Sequence, residues 1–284
     1  MQTSNALDNL KSIAKNNKKR LAGTFGLVAA ENVLFLTYPV FGSFAVNAMM
    51  SGDVWTSLSY SLLVLIIWSI GAMRRAVDTR AFARIYAELA VPVVASQRAK
   101  GLDTSSVTAR VALSRQFVDF FEQHLPILIM SAFQIIGSAL MLLILEFWAG
   151  VTACAILAFF AFLMPKYAKT NDLLYLKLNN RLEKEVDVIE RNNGYQLNKH
   201  YGWLAKLRIR ISNREAAGYL WIGVAMALLF GVTVVQIATT QGVKAGHIYA
   251  VITYLWQFAM SLDDMPRLLE QFSNLKDIGK RVEV

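Results

Sequence analysis

Glu31 is the first residue of this chain whose placement suggests chemistry. It is the only charge between Leu21 and Met50. Burial disfavours the ionised form of a carboxylate, which lets such a group take up and release a proton near neutral pH. Glu31 is therefore a candidate proton-coupling residue. The competing role is a buried hydrogen bond to a neighbouring helix, or capture by an arginine near the membrane edge. Asp263 and Asp264 are a second acidic candidate for proton coupling, with a solvated helix face as the plainer reading. Glu215, Glu122 and His124 are weaker candidates, near the expected interface.

Uncharged polar residues form a second set. Thr253, Gln257, Ser261 and Asp264 recur at helical spacing, as do Ser131, Gln134 and Ser138, and Thr233, Gln236 and Thr240. Spacings of three and four put residues on one helix face, and polar groups at membrane depth avoid lipid. Gln257, Thr253, Ser261, Gln134 and Gln236 are candidate cavity residues. Interhelical hydrogen bonding is the alternative, and the preferred one for the Gln134 and Gln236 stripes. The Gln257 stripe ends in a carboxylate, so there a cavity wall is preferred.

Other chemistry has no foothold. There is no HExxH or CxxC pattern, and His124, His200 and His247 lie far apart. Cys154 is the single cysteine, so no disulfide framework is expected. No enzyme activity, metal or cofactor is expected.

The elements that hold these residues are membrane helices. The chain has 284 residues, is 55% hydrophobic and has a mean hydropathy of +0.40. Six segments carry little or no charge: Leu21–Met50, Val54–Met73, Leu125–Leu145, Phe147–Pro165, Ala216–Val243 and Ala245–Leu262. Each approaches or exceeds the length that crosses a bilayer. The expected fold is an all-α membrane protein with six transmembrane helices. Residues 1–20 form a cytoplasmic or interfacial segment, and residues 21–284 form the membrane domain.

The net charge of +9 does not indicate nucleic-acid binding. All of the 29 Lys and Arg residues except Lys244 fall within 1–20, 74–115, 166–214 and 267–281. Six spans place those four blocks on one side of the membrane. Positive charge collects on the cytoplasmic side, so both termini are expected there, with the lipid bilayer as partner. The chain reads as a multi-pass protein of a bacterial inner (cytoplasmic) membrane, without a cleaved signal peptide.

Several helices outrun the membrane. Helix is expected from about Val54 to Lys100 and from about Ser105 to Glu146, on either side of the polar turn Gly101–Ser106. The fourth span is expected to stay helical through Val186 and to end at Asn192-Asn193-Gly194. The fifth runs from about Gln196 to Thr240, and the sixth from Gly246 to the C-terminus. All five prolines fall inside these helices, which membrane helices tolerate.

Two pairs of overlong helices, each joined by a short cytoplasmic turn, resemble the transmembrane domain of exporter-type ATP-binding cassette (ABC) transporters. The segment Leu102-Asp103-Thr104-Ser105-Ser106-Val107-Thr108-Ala109-Arg110-Val111 is similar to the family's first coupling segment. Glu190–Lys206, with Gly194 and Tyr195, sits where the second belongs. Gly246–Glu270 is similar to the sixth helix. The resemblance implies a domain-swapped dimer around a central cavity, resting on nucleotide-binding domains. The sequence departs from it in lacking a phosphate loop of the form GxxxxGK[ST]; its one Gly-Lys pair is Gly279-Lys280. The second coupling segment also departs, with Gln196, Asn198, Lys199, His200 and Tyr201 in place of small apolar residues.

The resulting expectation is a proton-coupled homodimer that exports a small peptide or natural-product-like solute. An alternative is a transmembrane subunit served by a separate nucleotide-binding subunit, docked on Gly101–Ser106 and Asn192–Asn198. A third is a non-transporting membrane receptor or scaffold.

Overall fold

The computed structural model describes residues 17–99, 101, 111, 115, 118–182, 184–190 and 193–281. Six long helices carry the chain: α1 (Lys18–Ser51), α2 (Val54–Ala99), α3 (Leu125–Leu145), α4 (Phe147–Leu182), α5 (Gly194–Thr239) and α6 (Ala245–Arg281). Among the described residues there is no strand. At 46 residues each, α2 and α5 are roughly 70 Å long, about twice the thickness of a bilayer core.

Five helical segments are long and apolar enough to cross a membrane: Lys18–Ser51, Val54–Glu88, Glu122–Leu145, Phe147–Leu182 and Gly194–Thr239. The sixth expected span, in α6, is not among them. Its membrane half carries His247, Thr253, Gln257 and Ser261. This helix packs against α1, α3, α4 and α5, and its Val251, Tyr254, Leu255 and Phe258 are fully buried. A helix faced by protein on most sides needs little lipid-compatible surface.

The shared core joins Ile135, Ala139 and Leu142 of α3, Ala149 and Ala153 of α4, Leu229 of α5 and the buried face of α6. The alanines let neighbouring backbones approach closely. The large apolar residues on the opposite faces, such as Trp55, Leu62, Phe162, Leu228 and Val235, are exposed, as lipid contact requires. Beyond the core, two smaller clusters pack the helix extensions. One joins Phe82, Ile85 and Val118. The other joins Leu178, Leu204, Leu207 and Ile211 between α4 and α5.

Local chemistry fixes the turns. Gly52 adopts φ 76° after α1, and the amides of Gly52 and Asp53 cap Met49 and Ala48, a left-handed close that favours glycine. A π turn over Phe120–His124 leads into α3, just before Pro126, which has no amide hydrogen to return to the residue four back.

Two expectations need correction. The fourth helix does not continue through Val186. It stops at Leu182, the Lys184 amide closes on the Arg181 carbonyl, and a short helix follows over Glu185–Glu190. Asn193-Gly194 does not end a helix but starts α5: the Asn193 side chain accepts from the Tyr195 and Gln196 amides, an N-cap.

Candidate functional site

The site begins with a proline. Pro39 in α1 cannot donate to the Phe35 carbonyl four residues back. Gln257 of α6 supplies the missing bond, its Nε2 donating to the Phe35 carbonyl at 3.1 Å. One turn earlier, the Tyr254 hydroxyl donates to the Leu36 carbonyl at 2.6 Å. These bonds tie α6 to the kink in α1. They also fix the Gln257 amide, because only its nitrogen can donate. Gln257 Oε1 is left buried without a partner.

Beside this junction lies a cavity of about 460 Å³ between α1, α2, α3 and α6. Phe35 and Tyr38 of α1, Trp68 of α2, Met130, Ser131 and Gln134 of α3, and Gln257, Met260, Ser261 and Asp264 of α6 form much of its wall. Gln134 is 5% exposed, and its Oε1 has no partner. Measured from the outer end of α6, Gln257 lies ~18 Å and Asp264 ~28 Å down the axis. The cavity thus runs along α6 from the depth of Gln257 toward the end of the bundle away from Gly246, with Asp264 farthest along it.

Three of the five candidate cavity residues, Gln257, Ser261 and Gln134, come together here. The α3 stripe was expected to bond between helices. Ser131 and Gln134 instead face the cavity. Thr253 and Gln236 do not line it. The Thr253 hydroxyl donates to the Tyr249 carbonyl, and Gln236 is half-buried on α5. A second groove of about 360 Å³ lies between α5 and α6, lined by Tyr219, Phe230, Trp256, Met260 and Asp263. Asp263 is exposed overall. Its carboxyl still loses enough water against this groove that burial, then the Asp264 charge, raises it above its ordinary value.

Glu31 lies elsewhere. It pairs with Arg74 of α2, whose Nη1 also reaches Asp78 Oδ2 at 3.1 Å. The Glu31, Arg74 and Asp78 side chains are 13%, 19% and 6% exposed. The buried Thr24 hydroxyl also lies beside the Asp78 carboxyl. Of the two roles weighed for Glu31, capture by arginine is the one the geometry displays. Counted at ~1.5 Å per residue from Arg20, eleven positions earlier, Glu31 is expected near mid-membrane. The hairpin places it differently. Glu31 and Arg74 are nearly equidistant in sequence from Gly52, so the hairpin puts both ~30 Å from the Gly52 turn, about the thickness of a bilayer core. The same symmetry, present in the sequence, identifies Arg74 as the arginine that meets Glu31.

Leu102, Asp103, Thr104 and Ser105 lie outside the described residues. Gly194 and Tyr195 are exposed at the start of α5. His200 is turned inward, 1% exposed, with neither ring nitrogen bonded. At the outer end, His247 Nε2 lies 2.7 Å from Glu146 Oε1, which ties α6 to the α3–α4 turn.

A comparison with curated proteins returned no match. A family model for the ABC transporter transmembrane region matches residues 10–246. That match covers most of the chain, in agreement with its all-α architecture and multiple membrane-spanning helices. The chain belongs to the ABC transporter transmembrane region family.

Proposed function

We propose that this chain is the membrane subunit of a transporter that carries a small peptide or natural-product-like solute outward through the α1–α2–α3–α6 cavity. The observation behind this reading is that two buried carboxamide oxygens from different helices, Gln134 Oε1 and Gln257 Oε1, lack protein partners and border one cavity. Buried acceptors are costly to leave unpaired, and a solute with donor groups would satisfy them. The working unit in this reading is a homodimer of six-span halves in a bacterial cytoplasmic membrane, with cytoplasmic termini.

A proton gradient is the proposed drive. One guanidinium, Arg74, serves two buried carboxylates, Glu31 and Asp78. A single added proton would balance that excess charge. The second reading, an ATPase subunit docked at the cytoplasmic tips, is favoured by the family membership and by the exposed Gly194–Tyr195 corner.

The test is transport by purified protein in liposomes loaded with a pool of short peptides, with release read by mass spectrometry. Release driven by a pH gradient alone and lost in Glu31→Gln supports proton coupling. Unchanged flux in that variant removes Glu31 from the coupling role. Release that needs ATP and a second polypeptide establishes the second reading.

A further inference from the structure

We propose that the cavity selects organic cations: an apolar, aromatic body seated among Phe35, Tyr38 and Trp68, with its positive charge held at Asp264. The inference deepens the transporter reading and rests on it for its place in a transport path.

Charge is the first argument. The chain has 29 Lys and Arg residues against 20 Asp and Glu, yet among the described residues the only charged one in the cavity wall is an acid, Asp264. The adjoining α5–α6 groove repeats the arrangement, with Asp263 as the one charged lining residue among those described. An anion entering either space would meet a carboxylate and no described cation in the wall to offset it.

The neutral groups agree. Gln257 Oε1 is held as an acceptor because its nitrogen is committed to the Phe35 carbonyl. Gln134 Oε1, on a residue 5% exposed, is buried and unpaired. Acceptors of this kind suit an ammonium or guanidinium, which carries only donors. Aromatic faces attract cations through the ring quadrupole. Met130 and Met260 add polarisable, adaptable surface that fits varied apolar shapes. At about 460 Å³ the space suits a drug-sized molecule.

The experiment uses two probes of matched shape and opposite charge, tetraphenylphosphonium and tetraphenylborate. Binding is measured on the full-length protein in nanodiscs, with protein-free nanodiscs subtracting partition into lipid. Saturable binding of the phosphonium and much weaker binding of the borate are expected. Asp264→Asn should weaken phosphonium binding on the order of tenfold, the scale of losing a Coulombic attraction between the phosphonium and a partly solvated carboxylate. Asp264→Glu should restore it, and Asp264→Lys should reverse the preference. Asp264 is exposed, so these variants are expected to fold, and size-exclusion profiles check that. Equal binding of the two probes, or wild-type binding by Asp264→Asn and Asp264→Lys, overturns the proposal. Cation binding without peptide release would count against the peptide-transport reading and leave the selectivity standing. Peptide release with equal binding of the probes would do the reverse.

Discussion

Replacing Arg74 by methionine tests the charge balance at the Glu31–Arg74–Asp78 site of the α1–α2 hairpin. Arg74 pairs with both Glu31 and Asp78, and all three side chains are at most 19% exposed. Methionine keeps similar bulk but removes every donor. Two carboxylates then share a poorly solvated site without a counter-charge. Breaking a buried pair from one side costs about 3–5 kcal/mol, most of it from the stranded charge. At roughly 2–4 °C per kcal/mol for a chain of this size, the thermal midpoint should fall on the order of 10 °C. The assay is size-exclusion of detergent-solubilised protein after a heating series. The triple variant Glu31→Gln, Arg74→Met, Asp78→Asn removes the stranded charges and should recover most of the loss. A wild-type midpoint for Arg74→Met, or a triple variant no more stable than the single, would refute the reasoning.

Four further outcomes are expected. Asn193→Ala removes the α5 N-cap and should cost about 1 kcal/mol, read as faster amide exchange in the first turn of α5. Gly246→Ala would drive a methyl into the Ser43 carbonyl and the Asn47 side chain; a backbone atom cannot swing aside, so a loss of about 1–3 kcal/mol is expected by thermal melting. His200→Leu should raise stability by about 1 kcal/mol, because it removes a buried ring with two unpaired nitrogens; a fall would show that the ring has a polar partner in the assembled protein. The Thr56 hydroxyl, then its amide, hold the Asp53 carboxyl below its ordinary value. Its contribution to the start of α2 is therefore complete above the ordinary carboxylate range and lost as pH falls through the lowered value. Amide exchange near Thr56 should rise on acidification in the wild type and stay flat with pH in Asp53→Asn.

Legibility varied with the kind of information each feature needs. Helix limits came within a few residues of the structure for α1, α2, α5 and α6. Uncharged runs bounded by Lys and Arg blocks are one-dimensional signals, and transfer to lipid acts on composition. The turn at Lys184 was not visible, because Arg181–Val186 contains only good helix formers and valine. The α3 stripe shows the same limit. Spacing placed Ser131, Gln134 and Ser138 on one face but could not say what that face meets.

The sequence by itself determined the class of this protein: apolar runs long enough for a bilayer, a one-sided distribution of positive charge, and polar faces on the third, fifth and sixth helices. Only the tertiary structure decided which of those faces share a space. It brought Gln134 and Gln257 to one cavity, sent Gln236 elsewhere, and gave Glu31 to Arg74. Periodicity fixes angles around one helix axis and rise fixes depth along it. Neither fixes how one helix is rotated against the next, and that rotation is set by packing around Pro39, the α3–α4 alanines and the buried face of α6.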